Sequence, residues 1–223
     1  VRVAAPEPLS CTLLPELIAG YNRRHPGVDV RFDDVPIQQV LENLQNGSSD
    51  IGFGPAGIAV DESIEALVIC ADPLWLALRP DDPLAQAKSV RWRDLRDRSL
   101  INYMPNIAIN VLSHVPPRHH PKELVPVHRV NTALAMLWVR EGVVICPSMA
   151  GHLVRGFSLT FLPLVQPAVK WRIAMLARRR TSLSPAVESF RDFTQAFAPD
   201  WAAGGPKHRR PVRAARDAQG KEN

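Results

Sequence analysis

The sequence predicts an α/β fold of two lobes around a cleft, and three observations carry that expectation. Apolar spacing alternates between strand-like and helix-like periods, completing β-α-β-α-β by Gly54. The connections between these stretches are only a few residues long, as in a parallel sheet with helices on its faces. A second α/β stretch follows a long extended apolar run, and late strand-like runs can return to the first sheet.

Each element has its own warrant. Val1 to Ala5 is a short buried strand. Residues 6–10, PEPLS, form a turn, with Ser10 placed to cap a helix running to about Arg24. Leu13, Leu14, Leu17, Ile18 and Tyr21 mark its inner face, and Pro15 is tolerable near the first turn. His25-Pro26-Gly27 ends it, because proline lacks a donor and disfavours helix in the residue before it. Val28, Val30 and Phe32 then alternate with Asp29, Arg31 and Asp33, giving a strand over residues 28–35. Ile37, Val40, Leu41 and Leu44 form a second helix, closed by Asn46-Gly47, and DIGFG (50–54) is a third strand.

Residues 66–78 read as an extended run broken at Asp72-Pro73. RWRDLRD suggests one or two helical turns, and SLINY (99–103) a strand. A turn and a helix follow, with Ile107, Val111, Leu112 and Val115 inward; PPRHHPKELVP is then a breaker-rich loop. Residues 127–142 give a strand at VHRV, a turn, and a helix ending at Gly142. VVICP, FSLTFLPL and WRIAMLARR are further strands. The last helix starts with Ser184 as N-cap and Pro185 at its first position, with Ala186, Phe190, Phe193 and Phe197 inward.

Charge is unevenly placed. Of 27 Lys/Arg and 22 Asp/Glu, six basic and two acidic residues fall in the last 20 positions, leaving the body close to neutral. GGPKHRRPVRAARDAQGKEN (204–223) has almost no large apolar residue, and residues 201–223 are expected to be a disordered basic tail. Cys11, Cys70 and Cys146 are odd in number, far apart and without a CxxC, which points to a reducing, cytoplasmic compartment and away from disulfides or zinc. No apolar run is long enough to span a bilayer. The chain opens on an apolar strand at Val1, as a fragment of a longer protein would; a mature exported domain would begin in the same way.

Catalytic and metal motifs are missing: there is no GxSxG, GxxxxGK[ST], GxGxxG or HExxH. His114, His119 and His120 are close in sequence but sit among prolines with only Glu123 nearby, the pattern of a polar loop rather than a metal site. Cys11, beside a helix start, is a cleft-lining or core thiol rather than a nucleophile, since no basic partner is near in sequence. No enzyme activity, cofactor or metal is expected. What remains are turns at the carboxyl ends of strands, where open α/β sheets bind ligands. These are residues 7–10, Pro36-Ile37, Pro105-Asn106 and Asn131-Thr132.

Four stretches in order, LLPELIAGYNRRHPGVDVRF, VLENLQNGSSDIGFG, DPLWLALRPDDPLA and SPAVESFRDF, resemble the effector-binding domain of LysR-type transcriptional regulators, over residues 1 to about 197. DIGFG and PNIAINVL are similar to the branch that senses aromatic-degradation intermediates. The resemblance implies a type 2 periplasmic-binding-protein fold of two Rossmann-like lobes. Residues 1–75 and 163–200 would form lobe I, and 76–162 lobe II. It implies an inducer in the cleft, a homodimer or tetramer, and DNA contact through a helix-turn-helix domain outside this chain. Its pocket turns map onto Pro8, Leu9, Ser10, Cys11, Pro36, Ile37, Gly54, Pro105, Asn106, Ile107, Asn131 and Thr132. This chain departs from the family in having Pro8 and Ile37 where hydroxyls are common, and REGVVICP keeps only Gly142 of a GxG.

The expected ligand is a small organic anion, aromatic or dicarboxylic, with Ser10, Asn106 and Thr132 donating to it and Leu9, Ile37 and Ile107 packing its apolar part. The exposed side of the first helix, Glu16, Ala19, Gly20 and Arg23, is the expected dimer face. Two rivals share the architecture: a solute-binding protein of a transporter, which an upstream signal peptide would reveal, and an enzyme, for which no acid/base pair can be named.

Overall fold

A computed structural model describes residues 1–58, 62–104, 107–179 and 183–204. Pro105, Asn106 and residues 205–223 of the basic tail therefore lie outside the described residues.

The chain starts with β1 (Arg2–Ala5), a single helical turn α1 (Glu7–Ser10), and α2 (Leu13–Arg24). Two helices thus stand where one was expected. The residue before α2 is Thr12, and the Ser10 hydroxyl donates back to the Ala5 carbonyl at 3.1 Å rather than capping. Pro15 explains the start point: its missing N–H is harmless only in the first turn, which holds the start of α2 at Leu13. The next strand, β2 (Arg31–Asp34), is shorter than the expected 28–35 and exposed throughout, because it is an edge strand paired only with β1. Next come α3 (Ile37–Gln45), closed by Asn46 and by Gly47 at φ +79, and β3 (Ile51–Pro55).

The expected break at Asp72-Pro73 is absent: β4 (Ile64–Leu78) is continuous. Pro73 is the point where β4 changes partners, so its missing donor leaves no ladder bond unmade, and Leu74 N–H reaches the Val169 carbonyl at 3.1 Å. Short 3-10 turns at Pro83–Gln86 and Trp92–Leu95 flank β5 (Val90–Arg91). Then come β6 (Ser99–Asn102), α4 (Ile107–Asn110) and β7 (Glu123–Pro126). The strand placed by sequence at VHRV is therefore upstream, in the breaker-rich stretch. Pro126 is tolerated at its end because β7 pairs on one side only. After α5 (Val130–Met136) the chain turns well before Gly142, which lies against β6, where a Cβ would fall 2.9 Å from the Ser99 carbonyl. The remaining elements are β8 (Val144–Pro147), an unforeseen α6 (Gly151–Gly156), β9 (Thr160–Val165), β10 (Lys170–Arg178) and α7 (Pro185–Gly204). Ser184 caps α7 as expected, its hydroxyl accepting from Val187 N–H at 3.4 Å. The helix takes in residues 201–204, assigned by sequence to the tail, because Trp201 is buried against the core.

The strands form two sheets joined through β4. The first runs β2-β1-β3-β10-β4, parallel among β1, β2 and β3 and antiparallel where β10 enters. Beyond Pro73, β4 lies between β8 and β9; β9 carries β5, and β6 leans on β8 through Leu100 and Val143 and pairs with β7. Strand alternation sorts the first sheet into two cores. Ala4, Ala174 and Leu176 face Ile37, Val40 and Leu44 of α3, while Val3, Ala5, Ile51, Phe53 and Ile173 share the larger core that holds α2 and α7. Cys70 and Cys146 sit in that larger core, where burial, and for Cys70 also Asp72, push their thiols up to about 12.

Candidate functional site

Between the two sheets lies a cavity of about 420 Å³, within the usual size of small-molecule sites. It is built where the sequence pattern placed ligands, at the carboxyl ends of strands. From the first sheet come Pro6 to Pro8 after β1, residues 34–38 from the end of β2 onward, Pro55 of β3 and Trp171 of β10. From the second come Asn102, Tyr103 and Met104 from the end of β6 onward and residues 126–129 from the end of β7 onward. Five prolines in this lining (6, 8, 36, 55 and 126) present fixed backbone and rings without spare N–H groups.

The walls are mainly apolar, with charge concentrated at two places. Glu7 and Asp34 line the first-sheet side; His128 and Arg129 line the other. The Glu7 carboxylate is already engaged across the cleft. Its Oε2 accepts from the Val130 backbone N–H at 3.1 Å and its Oε1 from Asn131 Nδ2 at 2.9 Å. The two donors at the start of α5 therefore hold an acid supplied by the chain itself. The Cys11 thiol lies near this group: burial, then the charges of Glu7 and Asp34, push it above its ordinary value, the opposite of an activated cysteine.

Of the residues expected from sequence, Pro8, Pro36 and Ile37 line the cavity. Gly54 lies beneath Ile37, where a Cβ would fall 2.6 Å from Ile37 Cδ1, so it shapes the wall from behind. Leu9 and Ile107 are buried in the larger core. The Ser10 hydroxyl is spent on the Ala5 carbonyl, Cys11 is half-buried beside the site, Asn131 is bonded to Glu7, and Thr132 is exposed and off the cavity lining. Pro105 and Asn106 fall outside the described residues.

Sequence reasoning missed Trp171, Tyr103, Met104, Asp34, His128 and Arg129. The last two were hidden by placing a strand at VHRV; ending it at Pro126 puts His128-Arg129 in the turn. Tyr103 is buried, and burial, then the neighbouring Cys146, hold its phenol well above the ordinary value.

The expected dimer face on α2 is partly covered by the chain's own C-terminal helix. A Cβ on Gly20 would lie 3.2 Å from Phe193 Cζ, and Glu16 Oε2 accepts from Trp201 Nε1 at 2.9 Å. Ala19 and Arg23 remain exposed. In the histidine cluster, His120 Nε2 lies 3.0 and 2.9 Å from the Leu112 and Val115 carbonyls, an N–H donor's position rather than a ligand's. Among the described residues no group of His, Cys, Asp and Glu is arranged to hold a metal, and no helix is long and apolar enough to cross a membrane.

Known proteins share this fold. The BenM effector-binding domain, solved with its effector benzoate, superposes with a TM-score of 0.75 at 24% identity, covering 91% of this chain and 92% of that one. The QuiR effector-binding domain in complex with shikimate gives a TM-score of 0.74 at 17% identity, covering 89% and 96%. These likenesses establish the type 2 periplasmic-binding-protein fold. By sequence, the HTH-type transcriptional regulator YfeR of Shigella flexneri is 28% identical over 211 residues, 86% of this chain and 63% of that protein. The regulator CatR of Pseudomonas putida is 28% identical over 181 residues, 79% of this chain and 61% of that protein. The chain thus spans less than two thirds of the length of these relatives. The LysR substrate binding domain pattern matches residues 1–199, and the chain belongs to that family.

Proposed function

We propose that this chain is the ligand-sensing part of a LysR-type transcription regulator, and that its cavity takes a small organic acid with an apolar or aromatic body. The observation that carries this is the cavity itself, with Ile37, Met104, Tyr103 and Trp171 in its walls and Arg129 and His128 on one side. The acid group would face Arg129 and His128, since Glu7 and Asp34 make the opposite side negative. Benzoate in BenM and shikimate in QuiR, both ring acids, support this size and chemistry.

Magnitudes indicate what such a ligand must do. Burying roughly 100 Å² of ring contributes about 2.5 kcal/mol. Moving a two-state switch from mostly off to mostly on takes about 5.5 kcal/mol of differential affinity. Ring burial alone falls short, so the charged contact has to differ between the lobe arrangements as well. Lobe I would comprise residues 1–75 and 163–200 and lobe II residues 76–162, with β4 crossing between them. The change would pass to a helix-turn-helix domain on DNA through a dimer or tetramer.

The test is calorimetric titration and thermal shift with benzoate and shikimate, using benzamide as a neutral control. At least one acid is expected to bind and benzamide to bind more weakly, with Arg129→Ala weakening the acid about tenfold, or about 1.4 kcal/mol. Failure of both acids to bind the wild-type chain would refute the organic-acid assignment.

A further inference from the structure

We infer that Glu7 is a positioning residue of the ligand site, a clasp that holds the two walls of the cleft together and thereby sets where His128 and Arg129 stand. Glu7 belongs to the first wall, and the groups it holds begin α5 behind the second, 123 and 124 positions further along the chain. Both carboxylate oxygens are used, one on a backbone N–H and one on a side-chain amide, a two-point contact that fixes orientation as well as distance. Pro6 and Pro8 flank Glu7 and restrict the backbone that carries it. On the other side, Val130 and Asn131 directly follow His128 and Arg129, so anchoring the former pair places the latter at the cavity. The side chains of Asp34, His128 and Arg129 line the same cavity but make no hydrogen bond or ion pair among the described residues, so none of them duplicates the clasp.

The second wall is held unevenly: Val130, Ala133 and Leu134 of α5 are buried, whereas its outer strand is exposed. β7 is largely exposed and paired only with β6, and α5 spans Val130–Met136. The polar contact across the cleft therefore acts beside an exposed strand, on the first residues of a helix whose apolar side is packed. It follows that a ligand enters a cleft whose charged groups are already in place.

The test needs no ligand, so its outcome is independent of the organic-acid assignment. Hydrogen exchange of the amides of Val130 to Ala133 is measured in the whole chain for wild type, Glu7→Ala, Asn131→Asp, and the double variant Glu7→Gln with Asn131→Asp. Glu7→Ala removes the acceptor, and Asn131→Asp sets two carboxylates face to face. In the double variant the introduced glutamine keeps an oxygen for the Val130 N–H, and its side-chain NH₂ donates to the introduced aspartate. Both bonds are thus restored with the charge moved across the cleft. Exchange is expected to rise about tenfold in each single variant and to return close to wild type in the double variant. Because a side chain that only fills space would not be rescued by the second change, rescue separates a clasp from simple loss of packing. Single variants that exchange like wild type, or a double variant no better protected than Asn131→Asp alone, would overturn the inference.

Discussion

The two walls of the cleft are built by different physics. The first is backed by α3 packed directly on β3, close enough that a Cβ on Gly52 would lie 2.7 Å from Val40 Cγ1 and 2.9 Å from Leu44 Cδ1. The second rests on β6 and β7, of which β7 is mostly exposed, and is tied across the cleft by Glu7. Dense apolar packing fixes the first wall, while the second combines buried β6 and α5 with an exposed outer strand, β7, and a polar tie to the first. In such an arrangement β7 and the turn after it are the part of the cleft least constrained by packing.

The largest expected effect lies where the walls join. Asp72, 1% exposed at the crossing of β4, accepts from Ser148 Oγ and from Met149 N–H, both at 2.9 Å. Asp72→Ala strands one buried and one part-buried donor and should cost about 3 kcal/mol, seen as a lower urea midpoint. The comparison would sharpen if circular dichroism and tryptophan fluorescence then gave two separate transitions, and would blur if stability were unchanged.

Within the first wall, two glycines separate stability from shape. Gly52→Ala forces a clash on Val40, whose branched side chain cannot turn cheaply, and should cost about 2 kcal/mol. Gly54→Ala meets the tip of Ile37, which can swing aside, and should cost less than about 1 kcal/mol. Ile37 lines the cavity, however, so Gly54→Ala is expected to change affinity for any ligand more than it changes stability. Equal stability losses in the two variants would contradict this account of the wall.

The smallest effect is electrostatic and sits at the base of the first wall. Burial alone would raise the Asp50 carboxyl, but hydrogen bonds from the Arg2 side chain and backbone, with its charge, hold it below the ordinary value of 3.8. A depressed folded-state value contributes stability that is complete above the unfolded value and lost as pH falls through the folded one. The pair is partly exposed, so the wild-type advantage over Asp50→Asn should be only about 0.5 kcal/mol. It should be constant above about pH 5 and shrink below about pH 4. An advantage that grows on acidification would have the wrong sign.

The difference between the walls also governs what could be read from sequence. Val40 and Leu44 at helical spacing, and Ile51 and Phe53 at strand spacing, announce the packed wall, because burial imposes a period on apolar residues. Pro8, Pro36 and Ile37 could be placed at the cavity for the same reason. In the second wall, β6 left such a trace in SLINY and α5 in the helix read after VHRV, but β7 did not. β7 is half-solvated and bounded by prolines, so it resembled a loop, and the displaced strand concealed His128 and Arg129. Asn131 was placed at the right turn, but its partner could not be seen: nothing local links Glu7 to a residue 124 positions away. Ser10 shows the converse limit, since a capping side chain and one returned to its own strand look alike in sequence.

The most direct test of the ligand site is an amide chemical-shift titration of the ¹⁵N-labelled chain with benzoate, read residue by residue. The account predicts saturable shifts at residues 6–8, 34–38, 102–104 and 127–131, on both walls at once, with the core strands β3 and β10 unmoved apart from the neighbours of Pro55 and Trp171. Saturable shifts confined to one wall, or to a surface away from the cavity, would contradict it.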